Sequence, residues 1–313
     1  MKKIKYMKKK ILVTGGCGFV GKNISNFFNK KYKVIIIDNY TSGNKKFIPK
    51  NVSVNKINIQ NYDNLLKIFK KYNFYAVIHC AANFANQSSI DNIDLDMQSN
   101  INGTINLLKI SKKHKIKKFI YLSSSCIYSS EESSEDIVNP SFKTPYAISK
   151  FSGEQYVSFF KDYYKLNASI FRLYNFYGPY DYIGKYRNVI PNFINRALKN
   201  KLITIHAKGL STRDFTYVKD FVKVLEKVLL KYKKFNKIYN FGGSKKIKII
   251  DLAKKIIRYT NSKSKIKFIP SRKWDKFSKR KANNKKIRHD FKNIKFTKID
   301  EGLIKTIKWM KEH

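Results

Sequence analysis

The run Thr14-Gly15-Gly16-Cys17-Gly18-Phe19-Val20-Gly21 constrains the fold of this chain more than any other feature. It follows directly on the apolar stretch Ile11-Leu12-Val13 and leads into residues 21–31, whose apolar positions recur at helical spacing. Three glycines three apart meet three separate steric demands. Gly15 permits a tight turn out of the strand, Gly18 lets the backbone approach a pyrophosphate, and Gly21 lets the helix pack closely on the strand. A helix starting there presents unpaired N–H groups and the positive end of its dipole, which together form an anion site. The loop therefore reads as a dinucleotide cradle, with the backbone of Phe19 and Val20 turned to the phosphates. Asp38 closes the β-branched run at 34–37, where a carboxylate accepts hydrogen bonds from the adenosine ribose hydroxyls. It would repel a 2′-phosphate, so NAD is expected rather than NADP.

The alternation continues down the chain: residues 76–78 read as a strand, 97–113 as a helix and 119–122 as another strand. Continuous apolar runs separated by amphipathic helices indicate a parallel sheet covered on both faces, the doubly wound Rossmann-type α/β class. After the segment 169–173 the texture changes, with Gly178-Pro179, Gly184, Pro191 and Gly209 punctuating aromatic-rich sequence. A smaller mixed α/β lobe is expected from about residue 176. Residues 217–243 again read as helix then strand, and the tail has helical patterns at 250–259 and 300–311. The expected organisation is a dinucleotide-binding domain over 1–175, rejoined by 217–243, with 176–216 and 244–313 forming a second lobe.

Composition bounds the remaining possibilities. The 313 residues are 42% hydrophobic and 15% aromatic, which supplies a core and excludes a disordered chain. No apolar run approaches the roughly 20 residues of a membrane-spanning helix, so no membrane role is expected. The basic start followed by residues 11–20 resembles a secretory leader, but Gly15, Gly16 and Gly18 interrupt the apolar run and no small-residue cleavage site follows. A cytoplasmic location is expected. Cys17, Cys80 and Cys126 are odd in number and lack metal-type spacing, which points to reduced thiols. With 66 Lys+Arg against 21 Asp+Glu, the net charge is +45. The lysines are spread through the chain among abundant Asn, Ile, Tyr and Phe, a compositional drift on solvated faces rather than a nucleic-acid groove. An RNA-binding Rossmann protein is the alternative from a different class.

Tyr146 and Lys150 are four residues apart, on one face of a helix that Thr144 can cap and Pro145 can begin. A neighbouring ammonium favours the phenolate of a tyrosine and makes it usable as a base. The spacing also occurs by accident, as at Tyr6 and Lys10. Position distinguishes this pair: it follows the strand 119–122 and its end Ser123-Ser124-Ser125, where a hydroxyl can aim at the same substrate oxygen.

These features, together with His79-Cys80-Ala81-Ala82, Asn100 with Gly103-Thr104, Ile127-Tyr128, Asn175 with Tyr177-Gly178-Pro179, Arg213-Asp214-Phe215 and Tyr239-Asn240-Phe241-Gly242-Gly243, occur in one order over nearly the whole chain. In that order the sequence resembles the extended short-chain dehydrogenase/reductases of the nucleotide-sugar epimerase/dehydratase family. The resemblance implies NAD in the first lobe, contacted by Gly15, Gly18, Phe19, Val20, Gly21, Asp38, Asn39, Asn58, Ile59, Ala81, Asn100, Tyr146 and Lys150. It implies Tyr146 as the base for a sugar hydroxyl, Ser124 as its hydrogen-bonding partner, and Lys150 as the holder of the nicotinamide ribose. Asn175, Asn188, Arg213, Arg272 and Asp275 fall where the family binds the diphosphate and the nucleotide ribose. Guanidinium forks suit a diphosphate because they pair phosphate oxygens in bidentate fashion. A non-catalytic RNA binder would have no chemical need of Ser124, Tyr146, Lys150 and both arginines.

Two departures from the family pattern stand out. Asn58 replaces an acid that often helps hold adenine, and Trp274 replaces a glycine common in epimerases. The reaction divides on two further positions. Dehydratases of the family carry an Asp-Glu pair just after the strand-end hydroxyl, and its decarboxylases usually keep the Glu; here the two positions are Ser125 and Cys126. This points to epimerisation at C4 of a nucleoside-diphosphate hexose, with dehydration, decarboxylation or reduction as same-class alternatives. By resemblance, the helices at 97–113 and 146–163 pair across a two-fold axis to make a homodimer, and the family suggests a role in polysaccharide precursors.

Overall fold

The computed structural model describes residues 8–129, 134–135, 139–186, 188–231, 236–243, 245–272 and 281–313. In the first part of the chain β1 (Lys10–Thr14) leads into α1 (Phe19–Phe28), followed by β2 (Lys33–Asp38), β3 (Ser53–Lys56), α2 (Tyr62–Lys71), β4 (Phe74–His79), α3 (Asn86–Asp91), α4 (Ile93–Met97), α5 (Gly103–Lys113), β5 (Lys118–Ser124), α6 (Pro145–Asp162) and β6 (Ala168–Leu173). Then come β7 (Phe176–Tyr177), α7 (Val189–Leu198), β8 (Ile203–His206), β9 (Thr212–Asp214), β10 (Thr216–Tyr217), α8 (Val218–Lys231), β11 (Ile238–Phe241), β12 (Lys246–Lys248), α9 (Ile249–Thr260), β13 (Ile266–Ile269), α10 (Lys285–Asp290) and α11 (Ile299–Glu312).

The central layer is a seven-stranded sheet in the order β11-β6-β5-β4-β1-β2-β3, parallel at every pairing. This is the Rossmann-type doubly wound sheet that the alternating apolar runs imply. Alternate strand residues explain why those runs are continuous. Ile11, Val13, Ile36, Ile78 and Ile120 pack with Phe28 of α1 and Phe221 and Leu225 of α8, while Leu12, Ile35, Val77, Phe119 and Tyr121 pack with Leu65, Leu107, Val157 and Phe160. A separate core built on Ile190, Ile194, Leu252, Ile256, Leu303 and Ile307 joins α7, α9 and α11. Two-stranded pairs β13-β8, β12-β9 and β10-β7 complete that side of the molecule.

The strand order reverses between β1 and β4, so the crevice beyond their carboxyl ends is where a doubly wound fold binds its ligands. Two details differ from expectation. The helix expected at 97–113 starts earlier, at Ile93, and is interrupted by a π-helical turn, Gln98–Asn102, between α4 and α5. The edge strand β3 is polar, Ser-Val-Asn-Lys, and half-exposed, so it carries no hydrophobic signature.

Candidate active site

The glycine loop is held by backbone sterics. Gly15 has φ +64°, and a Cβ there would lie 2.7 Å from the Cα and N of Ala81, just past the end of β4. A Cβ on Gly21 would collide with the Gly15 carbonyl oxygen and approach Gly16 Cα to 2.6 Å, so α1 can sit this close to the turn only without a side chain. Gly18 is more open, its nearest neighbour being the Gly15 oxygen at 3.3 Å. No side chain caps α1, and its first turn carries no acid, which leaves the N–H groups of the turn at Phe19 and Val20 as donors. Asp38 is buried. Its Oδ2 accepts from Cys17 N–H at 2.9 Å and its Oδ1 from Tyr40 N–H at 2.8 Å, so it fastens the glycine loop to β2 and keeps two lone-pair sites for further donors. A glycine-rich turn, unpaired helix N–H groups and a carboxylate one strand away fit a dinucleotide.

Around this cradle, Asn39 Oδ1 accepts from Thr41 N–H and Oγ1. Asn58 Oδ1 accepts from Gln60 N–H at 3.1 Å, closing the turn after β3. Ile59 is buried beneath Gly103, where a Cβ would come within 2.5 Å of its Cδ1. His79 is buried between Thr14 and Thr104. Because Thr104 Oγ1 donates to Asn100 O, it accepts from His79 Nε2–H, and Nδ1 is left to accept from Thr14. Burial, with Lys150 nearby, holds this ring well below the usual imidazole range, hence neutral. The chain of bonds ties the glycine loop to α5. Asn100, expected on the cofactor, also braces the protein around it. Its Nδ2 donates to Asp96 Oδ1, Ser149 Oγ and Asn83 O, and its Oδ1 accepts from Asn83 N–H. With 1% exposure its amide serves the protein interior, where it stitches the π turn to α6.

The strand end and α6 bring Ser124, Tyr146 and Lys150 together. Thr144 caps α6 by accepting from Ala147 N–H, and Pro145 occupies the first turn. Tyr146 hydrogen-bonds the side chain of Ser124, whose Oγ also accepts from Cys126 N–H at 3.2 Å. The Tyr146 N–H donates to Ser89 Oγ, and the half-exposed Phe84 ring meets the phenol edge-on at 5.8 Å. Lys150 is buried with Nζ 4.2 Å from the centre of the Tyr121 ring. Burial, reinforced by Cys126, pushes the Tyr146 phenol up, and the Ser124 hydrogen bond partly opposes it. Burial also brings Lys150 down to about 8, against the pull of Glu154, Asp96 and Cys80.

Sequence reading missed the network beneath α6. Arg172, on β6, donates from Nε to both oxygens of Glu154 at 3.1 Å and from Nη2 to Oε2 at 2.8 Å. Its Nη1 donates to Tyr128 OH at 2.7 Å, and that hydroxyl donates to Asn240 Oδ1 at 2.8 Å. Glu154 lies one turn beyond Lys150, and that spacing was the available signal. Asp214 is a second hub: it accepts from Gly243 N–H and Ala282 N–H, joining the Arg213-Asp214-Phe215 block to the Gly242-Gly243 block. Of the residues expected on the nucleotide, Asn175 donates to Asp214 O at 3.0 Å, Asn188 donates to Phe176 O at 3.2 Å, and Arg213 lies half-buried on β9. Arg272 is exposed past β13, its Nε donating to His206 Nε2. Asp275 and Trp274 lie outside the described residues.

Residues 11–242 match the model of the NAD dependent epimerase/dehydratase family. The chain is 35% identical over 273 residues to dTDP-D-glucose 4,6-dehydratase of Dictyostelium discoideum, covering 80% of this chain and 62% of that protein's length. In structure it is similar to an epimerase of Methanothermobacter thermautotrophicus, with TM-score 0.93, 32% identity, and coverage of 98% of this chain and 93% of the other. It is also similar to UDP-glucuronic acid 4-epimerase of Bacillus cereus in complex with UDP-glucuronic acid and NAD, with TM-score 0.87, 26% identity, and coverage of 97% and 99%. With the glycine cradle, Asp38 and the Ser124-Tyr146-Lys150 cluster in place, the chain belongs to the NAD dependent epimerase/dehydratase family, and its cofactor is NAD.

Proposed function

We propose that this protein epimerises a nucleoside-diphosphate sugar at C4 through a transient 4-keto intermediate. The observation that carries this reading is the turn Ser125–Ile127 directly beyond Ser124. Removing water from a keto sugar takes a carboxylic acid and a carboxylate, but here Ser125 is buried and Cys126 stands against Tyr146. Neither is a carboxyl group. Epimerisation needs only a group that takes a hydroxyl proton and returns it.

NAD, when bound, supplies a hydride acceptor that becomes the donor, and its oxidised ring adds a positive charge that favours the phenolate of Tyr146. Ser124 holds the sugar oxygen by hydrogen bonding. Tyr146 takes the 4-hydroxyl proton and gives it back once the ketose has turned, so proton and hydride are both restored and NAD is not consumed. Lys150 holds the nicotinamide ribose with its ammonium donors, and Asp38 holds the adenosine ribose. We assign Gly15, Gly18, Phe19, Val20, Gly21, Asn39, Asn58, Ile59, Ala81 and Asn100 to the rest of the cofactor cleft. Residues 1–175 and 217–243 carry that cleft, while 176–216 and 244–313 carry the sugar nucleotide. Asn188, Arg213, Arg272 and Asp275 from that lobe, with Asn175 at the edge of the first, hold the diphosphate and nucleotide ribose.

We also infer a cytoplasmic homodimer that serves polysaccharide precursor synthesis. Support for the dimer is the exposed apolar surface on adjoining helices: Ile148, Tyr156 and Phe159 from α6 and Tyr163 at its C-terminal end, with Ile93 and Met97 from α4. The free cysteines suit a reducing compartment. Incubation with NAD and a panel of UDP-, dTDP-, GDP- and CDP-sugars, read by product mass and proton NMR, tests the activity. Unchanged mass with an inverted C4 is expected, and loss of water or carbon dioxide would overturn the reading. Tyr146→Phe is expected to abolish turnover while NAD stays bound.

A further inference from the structure

A segment between β7 and α7 crosses the cofactor cleft. It begins at Pro179, whose carbonyl oxygen accepts from Asn23 Nδ2 at 2.9 Å. Further on, the Tyr182 hydroxyl accepts from Lys22 Nζ at 2.6 Å, and the same ammonium donates to Asn44 Oδ1 at 2.8 Å. Paired bonds between Gly184 and Asn192 fasten the segment to α7. It then reaches α3, where the Tyr186 hydroxyl donates to Asp91 Oδ2 at 2.8 Å and Lys185 Nζ approaches the same oxygen at 3.4 Å. Lys22 and Asn23 sit in the first turns of α1 beyond β1, Asn44 belongs to the loop after β2, and α3 follows β4. Because β1 lies between β2 and β4 in the sheet, a segment that touches both sides passes across the glycine turn.

The two ends of the segment are fastened differently. At the first, Lys22 is fully buried, and an ammonium taken out of water needs the acceptors that Tyr182 and Asn44 supply. Hydrogen bonds from a charged donor are among the strong ones. The loop they join is seated on the glycine turn. A Cβ on Gly43 would fall 2.6 Å from the Cys17 carbonyl carbon and 2.9 Å from Gly18 N, and Asn44 N–H donates to Cys17 O at 3.3 Å. Phe47 of the same loop meets Tyr180 of the segment and Trp309 of α11, each at 5.7 Å between ring centres, which adds apolar cover. At the second end, Asp91 and Lys185 are exposed, and an ion pair in water contributes little.

We infer that residues 179–186 are a belt closed over the cofactor cleft, clasped at Lys22 and only latched at Asp91, and that opening of the clasp limits the rate at which NAD leaves the protein. Lys22 and Tyr182 are positioning residues in this belt: they hold each other and the loop on the glycine turn, away from the reacting atoms. The inference needs only NAD in its cleft and holds whichever sugar reaction the protein performs. In the test, full-length holoenzyme carrying radiolabelled NAD is chased with a large excess of unlabelled NAD and sampled by gel filtration for retained label. Thermal melts are recorded on the same samples.

Tyr182→Phe keeps the ring and removes the hydroxyl, and it is expected to speed release about tenfold. Lys22→Met removes the ammonium with the same expected effect, and the double variant releases NAD no faster than either single one, because all three lack the same bond. Asp91→Ala, at the exposed end, is expected to change release by less than about threefold. Val228→Ala opens a cavity in the core under α8, away from the belt, and controls for lost stability: its melting temperature falls while its release rate stays that of the parent. Unchanged release from folded Tyr182→Phe would overturn the inference. So would acceleration by Val228→Ala equal to that of Tyr182→Phe, or a larger effect at Asp91 than at Tyr182.

Discussion

Replacing Glu154 by Gln tests whether the buried network under α6 is an ion pair that the fold depends on. Its carboxylate and the Arg172 guanidinium are 1% and 2% exposed, 2.8 Å apart at the closest approach. Gln preserves shape and volume but offers one neutral acceptor where Arg172 now finds two charged ones, and it turns an amide N–H₂ towards the cation. Arg172 stays charged, so the variant leaves a guanidinium in a dry site with Tyr128 OH as its nearest partner at 2.7 Å. Breaking a buried pair in this one-sided way costs about 3–5 kcal/mol. At roughly 2–4 °C per kcal/mol for domains of 150–250 residues this is a fall of about 6–20 °C, and in this longer chain the melting temperature falls by about half of that, roughly 3–10 °C. Differential scanning calorimetry on the NAD-loaded protein measures the fall. The double variant Glu154→Gln/Arg172→Met removes both charges and is expected to recover at least half of the loss, because a hydrophobic replacement of a buried pair is close to neutral. A single variant melting within 2 °C of the parent, or a double variant no better than the single, would refute the argument.

Gly21→Ala forces a Cβ onto the Gly15 carbonyl and Gly16 Cα, backbone atoms that cannot swing away, so overpacking of about 1–3 kcal/mol is expected together with NAD binding at least tenfold weaker by calorimetry. Phe159→Glu puts a charge on the exposed apolar face of α6 and is expected to shift the protein from dimer to monomer in sedimentation velocity; a monomeric parent would remove the basis for that expectation. Asp290 concerns acid stability. Burial pushes its carboxyl up, but hydrogen bonds from Lys237, Tyr239 and His289 outweigh that and hold it at about 2, below the ordinary 3.8. A depressed folded-state value means that the stabilisation is complete above the unfolded value and is lost as pH falls from about 4 to 2. Asp290→Asn is therefore expected to flatten denaturation midpoints over that interval, and an unchanged slope would count against the assignment.

What the amino-acid sequence determined by itself is whatever a few adjacent residues enforce. Gly15, Gly18 and Gly21 act over one turn, Thr144 and Pro145 start a helix through their own capping chemistry, and Tyr146 and Lys150 share a face because a helix repeats every 3.6 residues. The apolar runs of β1, β2, β4 and β5 announce a sheet buried on both sides. Interactions that span the chain were decided only by the tertiary structure. Of the aromatics along α6, Phe160 is buried with Val157 while Tyr156 and Phe159 are exposed, and only the rotation of the helix on the sheet sets that division. The bonds by which Asn100 ties the π turn to Asn83 and Ser149 join residues up to 49 apart, and no local spacing foretells them. The Arg172–Glu154 pair joins residues on different elements, and a charge is affordable in a core only once folding has brought its counter-charge there. Short-range sterics are legible in a string of residues, whereas the balance of buried charges depends on which elements meet.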